Sequence, residues 1–315
     1  MSFTLHQLKV FEAVARNESI TKAASELHMT QPAVSIQLKQ LQEHFGLELT
    51  EVIGRRLHLT DAGNELFSHV RDLNQSLDDL EATMAERRGT LRGNLHFSVV
   101  STGKYFMPHF LGHYKNQFPG INLQLQVTNR FTVLRHLKEN MTDFVVISLD
   151  PEDLPHDFIP IMDNPLVVAA HPDTPITKKD MIFRHLAKYP FILREEGSGT
   201  RMVMLDLFKK YKMDPDVTFE LGTNEAIKQA IMAGFGMSVL SRFSLKSELQ
   251  SGEICELDVK PFPVVTHWQL VWRKGKRLGP AARSFIEFME AEKESIIEKH
   301  FSWVYNGKTG RVKKK

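Results

Sequence analysis

A single cysteine, Cys255, in 315 residues excludes an internal disulfide, a cysteine-rich zinc site and a CxxC redox pair. No apolar run approaches the ~20 residues of a membrane span. The opening residues, MSFTLHQLKVFEA, have the spacing of an amphipathic helix and not of a signal peptide, so a cytoplasmic protein with no membrane partner is expected. Catalytic signatures are missing as well. There is no HExxH, Walker loop or GxGxxG, and Gly197-Ser198-Gly199 lacks the G-x-S-x-G spacing of a nucleophile elbow. The 14 histidines are scattered; His109 and His113, four apart, lack a third ligand nearby in the chain. These absences point away from an enzyme, a metal and a cofactor.

Charge decides little by its total. The net charge is +2, and residues 1–63 carry Lys9, Arg16, Lys22, Lys39, Arg55 and Arg56 against seven acids. Affinity for a polyanion therefore has to come from where charge is placed. The one strongly basic run is Lys308, Arg311, Lys313, Lys314 and Lys315, after the last acid at Glu298, which reads as a solvated tail over 299–315. The length exceeds what one core serves, so two or three domains are expected.

What is present begins with ITKAASELHMTQPAVSIQLKQLQEHF, after Ser19. Thr21 and Thr30 are placed to start two short helices, since a hydroxyl ahead of a helix satisfies its orphan N–H groups. Pro32 falls in the first turn, where its missing N–H costs little. Ala24 and Val34, a small and a β-branched residue ten apart, suit the contact of a helix-turn-helix. Leu27, Val34, Leu38, Leu41 and Phe45 form the buried stripe, leaving Gln31, Ser35, Gln37, Lys39 and Gln40 outside as donors for base edges and phosphates. Arg55-Arg56-Leu57-His58-Leu59-Thr60 alternates as a β-wing against a minor groove would. The expected DNA contacts are Thr21, Lys22, Thr30, Gln31, Pro32, Ser35, Gln37, Lys39, Arg55 and Arg56.

After Thr60-Asp61-Ala62-Gly63 the residues Leu66, Val70, Leu73, Leu77, Leu80 and Met84 recur at four, three, four, three and four, the seam of a coiled coil. Gly89 and Gly93 end it. A seam between a small and a large domain, with a charged outer face, predicts dimerisation. The expected division is 1–63, a winged helix-turn-helix domain; 64–89, a linker helix; and 90–298, an α/β domain.

From Leu95 onward strand-like and helical runs alternate, implying a parallel sheet covered by helices. A second series begins near Leu166. Trp268–Trp272 and a helix Pro280–Glu290 return to the first. Two lobes result, 92–163 with 268–298 and 164–267, crossing near 163 and 267 and leaving a cleft for a small ligand. Loop residues populate that cleft: Ser101, Thr102 and Lys104; Asn129 and Arg130; Ser198, Thr200 and Arg201; Asn224 and Glu225. Hydroxyls, helix N-termini and cations together suit an anion, although each serine or threonine alone also reads as a helix cap.

These segments together resemble the LysR-type transcriptional regulators over nearly all of residues 3–290. LKVFEAVARNESITKAASELHMTQPAVSIQLKQLQEHFG, LTDAG, the linker helix and a two-lobed, periplasmic-binding-protein-like domain carry the resemblance. VVSTGKYFMPHFL, NPLVVAAHP, FILREEGSGTR, LGTNEAIKQAIMAGFGMSVLSR and GKRLGPAARSFIEF look most like the subgroup regulating RuBisCO and Calvin-cycle operons. The resemblance implies double-stranded promoter DNA as partner, a dimer of dimers, and a phosphorylated sugar or related anionic metabolite between the lobes; RNA polymerase stands open as a further partner. The pattern departs at Leu49-Thr50-Glu51-Val52, where the family usually has Leu-Phe-x-Arg, and at Ile36, where many members carry arginine. The alternative, a solute receptor, needs only the cleft domain and normally a signal peptide.

Overall fold

Thr4 opens the first helix through a reciprocal cap: its hydroxyl accepts from the Gln7 N–H, while the Gln7 side-chain oxygen accepts from the Thr4 N–H at 2.8 Å. Two orphan donors are satisfied at once. This computed structural model describes residues 3–54, 56–176 and 181–305. The chain divides into two compact units, one formed by the residues up to Gly89 together with Glu139–Met141, the other by Thr90–Lys138 and the residues from Thr142 onward.

In the first unit α1 (Leu5–Asn17), α2 (Ile20–Glu26) and α3 (Gln31–Phe45) close around Val10, Phe11, Val14, Ala24, Val34 and Leu41. The predicted Ala24–Val34 neighbourhood is part of this core. β1 (Thr50–Ile53) and β2 (Arg56–Leu59) form an antiparallel hairpin where the wing is expected. α4 (Asp61–Glu86) follows, capped by Thr60, whose hydroxyl accepts from the Gly63 N–H at 3.0 Å. Its 26 residues span about 39 Å at 1.5 Å each. Leu66 and Val70 join the core, whereas Leu73, Leu80 and Met84 are 49%, 55% and 43% exposed.

Two expectations are corrected in this unit. Ser19, not Thr21, caps α2, accepting from the Lys22 N–H at 3.3 Å; Thr21 is already helical and exposed. Phe45 leaves the buried stripe. It is 37% exposed and rests against the Phe3 and His44 rings, because the core ends a turn before α3 does.

The second unit runs β3 (Gly93–Val100), α5 (Met107–Gln117), β4 (Ile121–Thr128), α6 (Arg130–Lys138), β5 (Phe144–Ile147) and β6 (His156–Ala170). It continues through β7 (Met181–Ile182), β8 (Phe191–Arg194), α7 (Gly199–Lys210), β9 (Val217–Leu221), α8 (Asn224–Met232) and β10 (Ser238–Ser241). Last come α9 (Lys246–Ser251), β11 (Cys255–Glu256), β12 (Val259–Lys260), β13 (Val264–Arg273) and α10 (Pro280–Tyr305). One sheet has the order β10-β6-β13-β5-β3-β4, with β11 also on β6. β3 is parallel to β4 and β5, but β13 is antiparallel to both β5 and β6, so the sheet is mixed and not parallel throughout. β6 and β13 stay paired from His156↔Arg273 to Leu166↔Val264. They are long, and each runs through the position, near 163 and near 267, where a crossing between lobes is expected.

The C-terminal boundary is also corrected. α10 continues to Tyr305, with Ile296, Phe301 and Val304 buried in the first lobe's core. Arg242, which follows β10, pairs with Glu256 and donates to the Val304 carbonyl at 2.6 Å. The Tyr305 hydroxyl donates to the Asp163 carbonyl at 2.9 Å. Glu298, Lys299 and His300 hide this apolar spacing in the sequence. The tail cations from Lys308 onward lie outside the described residues. Among the described residues no helix is long and apolar enough to cross a membrane.

Candidate functional site

Helix α3 owes its position to caps and to one polar tie. The Thr30 hydroxyl accepts from the Ala33 N–H at 3.4 Å, Pro32 occupies the first turn, and Gln7 Nε2 donates to Gln40 Oε1 at 3.1 Å, fastening α1 to α3. Gln40 is thereby engaged within the protein. Gln31, Pro32 and Lys39 are exposed, with Ser35 and Gln37 half-buried; Lys39 Nζ stands 3.7 Å from Glu43. Thr21, Lys22 and Thr30 are exposed on the same unit, as is Arg56 at the start of β2. Arg55 lies outside the described residues.

In the second unit a cavity of about 30 Å³ opens between the lobes. Of the ten residues expected in the cleft, Ser101, Thr102, Asn129, Arg130, Ser198 and Thr200 line it. Ser101 and Thr102 lie in a short 3-10 turn after β3. Asn129 Oδ1 caps α6 by accepting from the Thr132 N–H at 3.0 Å. Gly197 has φ +81°, a turn only glycine enters freely, and it aims the start of α7 at the cavity. Ser198, the N-cap of α7, is buried and makes no capping bond; its hydroxyl is not consumed by the helix.

The other four do not line it. Lys104 Nζ pairs with Glu225 Oε1 at 2.7 Å, and the Tyr105 hydroxyl donates to the same oxygen at 2.6 Å. Burial alone would raise the Glu225 pKa, but the bonds from Lys104 and Tyr105 bring it down to about 2. Burial and the donated bond push the Tyr105 hydroxyl upward. Arg201 donates to Glu220 at 2.6 Å and to the Arg194 carbonyl at 2.7 Å. Asn224 stands behind the cavity, donating to Thr102 Oγ1 at 3.2 Å and accepting from Arg194. Lys104 and Arg201 are therefore structural cations, each already paired.

The residue that the sequence reading missed is Arg194. It lines the cavity at 3% exposure and donates to Glu195 at 2.7 and 2.9 Å, to Asn224 Oδ1 at 2.5 Å and to Ser101 Oγ at 3.0 Å. A cation closing the apolar run Phe191-Ile-Leu193 was the available signal. Ser148, Asn164 and Trp268 also line the cavity. Two donors there have no acceptor in the protein: Arg130 Nε and the indole Nε1 of buried Trp268. Burial lowers the Arg130 pKa against the opposing charges of Asp150 and Glu152, yet an arginine stays charged at neutral pH. The site thus offers hydroxyls, a helix N-terminus, two guanidinium groups and unmatched N–H donors. That chemistry receives acceptors.

Near α5 the structure adds His300 to the helical pair, its ring 4.6 Å from His109 and 5.5 Å from His113. Among the described residues no His/Cys/Asp/Glu group could hold a metal ion.

Comparison with known proteins places both units. Residues 5–64 match the model of the bacterial regulatory helix-turn-helix protein, lysR family, and residues 88–294 that of the LysR substrate binding domain. The chain is 40% identical over 294 residues to the HTH-type transcriptional activator CmpR of Synechocystis sp., covering 93% of this chain and 97% of the relative. It is 42% identical over 293 residues to a RuBisCO operon transcriptional regulator of Allochromatium vinosum, with the same coverages. Among solved structures, the Synechocystis CcmR regulatory domain in complex with 2-PG superposes with a TM-score of 0.61 at 39% identity, covering 64% of this chain and 97% of that one. A helix-turn-helix, a wing and a two-lobed cleft domain, matched over nine-tenths of the chain, leave one assignment: the protein belongs to the LysR family of DNA-binding transcriptional regulators.

Proposed function

We propose that this regulator controls carbon-metabolism genes in the cytoplasm in response to a small phosphorylated anion held between its lobes. The observation that carries the effector class is the set of unmatched donors, Arg130 Nε and Trp268 Nε1, at a cavity that also holds Arg194 and the N-terminus of α7. A buried donor without an acceptor is costly, and a phosphate supplies three or more acceptor oxygens. The relative solved with 2-PG, 2-phosphoglycolate, supports the same class. At about 30 Å³ the cavity has room for only one or two waters, so an entering ligand rearranges the contacts that Arg194 makes with Glu195 and Ser101.

Residues 1–63 act as the DNA-binding part, with Gln31, Pro32, Ser35 and Gln37 toward bases and Thr21, Lys22, Thr30, Lys39, Arg55 and Arg56 toward phosphates. Leu73, Leu77, Leu80 and Met84 of α4 pair with a second copy, and dimers associate to a tetramer. Ligand and DNA are then coupled only by the ligand's differential affinity for two quaternary states.

Calorimetry of the full-length protein against 2-phosphoglycolate, sugar phosphates, phosphoenolpyruvate, nicotinamide dinucleotides, glycolate and simple carboxylates tests the effector class. Binding of a phosphorylated member, with no heat from glycolate, supports it. Binding of neutral ligands only overturns it and leaves the loops as helix caps.

A further inference from the structure

On the exposed side of α3 one side chain is out of keeping with its surroundings. Val34, Leu38 and Leu41 fill the core, while Ile36 is 54% exposed. Pro32 and Gln40 lie one turn to either side, with Ser35 and Lys39 adjacent. A branched aliphatic group in water contributes nothing to folding and gains only by covering apolar surface. A lone exposed apolar residue is ordinary on an inert surface, but this one sits at the centre of the face that carries Gln31, Ser35 and Lys39.

The rest of that face narrows what Ile36 can meet. Gln40 is held by Gln7, and Lys39 leans toward Glu43, so the second half of the helix carries an acid and engages its own protein. The first two turns, Gln31 to Gln37, are left to approach base edges. In the major groove the one apolar group on any base edge is the 5-methyl of thymine.

We propose that Ile36 is a specificity-determining residue that covers a thymine 5-methyl in each half-site. The assignment rests on the reading of α3 as the helix in the major groove. It predicts discrimination by shape and apolar contact at one position, flanked by positions read through hydrogen bonds from Gln31 and Ser35.

Deoxyuridine differs from thymidine by that methyl alone. An operator fragment is recovered from genomic DNA by the full-length protein, and each thymine is replaced singly by deoxyuridine. Affinity is measured for the parent and for Ile36→Ala, whose unchanged thermal unfolding confirms its fold. At one position per half-site the parent loses about fourfold, the worth of one buried methyl group, whereas Ile36→Ala binds the two forms alike. A parent indifferent to every replacement overturns the assignment, as does an Ile36→Ala variant that still senses the same thymine. Failure of the underlying reading looks different: Gln31→Ala and Ser35→Ala would then recover the same sequence as the parent.

Discussion

Glu195 holds the guanidinium of Arg194, its neighbour in the chain, through both carboxylate oxygens, at 2.7 and 2.9 Å. The cation best placed for a ligand is thus already neutralised, and an entering anion competes with Glu195. Glu195→Gln should bind phosphorylated ligands several-fold more tightly in calorimetry. Without ligand it should unfold at lower temperature, because the buried guanidinium loses its partner. Equal affinity in parent and variant would show that Arg194 is not released on binding.

The division of the predicted cations gives a second test. Thr102→Ala and Thr200→Ala each remove a hydroxyl lining the cavity, at a cost of about 1.5–3 kcal/mol if the bond is to a charged group. Arg201→Gln, which alters a side chain paired to Glu220 outside the cavity, should leave ligand affinity within about twofold, since the lost pair is largely a solvent-screened one. Operator binding without ligand should be unaltered in all three.

Leu73→Lys and Leu80→Lys place charges on the exposed seam of α4. Either should lower the mass measured by light scattering and weaken operator binding with it, because a buried unpaired ammonium is strongly unfavourable. Both sites are about half exposed within the chain, so the fold of the single subunit should survive.

Gly63 tests the packing of the wing base. A Cβ there would sit 2.0 Å from the Leu49 carbonyl oxygen, backbone that cannot rotate away. Gly63→Ala should destabilise the DNA-binding unit by about 1–3 kcal/mol or more, read by thermal unfolding, with operator binding lost in parallel.

The His109–His113–His300 cluster predicts a pH dependence. Burial, then His113 and Lys246, lowers the His109 pKa; burial, then His109, Lys299, His113 and Lys246, lowers that of His300. The unfolded chain, titrating near 6.5, takes up protons before the folded one. The stabilisation is therefore complete above about pH 6.5 and is lost as pH falls below it. Thermal unfolding between pH 7.5 and 5.5 should show this slope, and His300→Gln should flatten it.

Much of the architecture is legible in the residues because periodicity and caps are local. The Thr30 cap, the wing, the α4 seam and the crossings near 163 and 267 all follow from spacing. The site is half legible for the same reason. Ser101, Thr102, Asn129, Arg130, Ser198 and Thr200 sit at strand ends and helix starts, where loop chemistry is visible. Lys104 and Arg201 look identical in sequence, yet each finds a carboxylate, Glu225 and Glu220, that only the folded chain brings near. Arg194 and Trp268 belong to strands, and their turn toward the cavity depends on register, which spacing alone does not fix.

The bonds from the final turn of α10, Arg242 to the Val304 carbonyl and Tyr305 to Asp163, bear on how far the lobes can travel. Two lobes joined by a pair of strands alone swing like a book on its spine. Here the end of α10 is fastened at the crease itself, to Asp163 on a crossing strand and to Arg242 just after β10. A change at the cleft that bends those two strands is therefore felt at the last turn of α10.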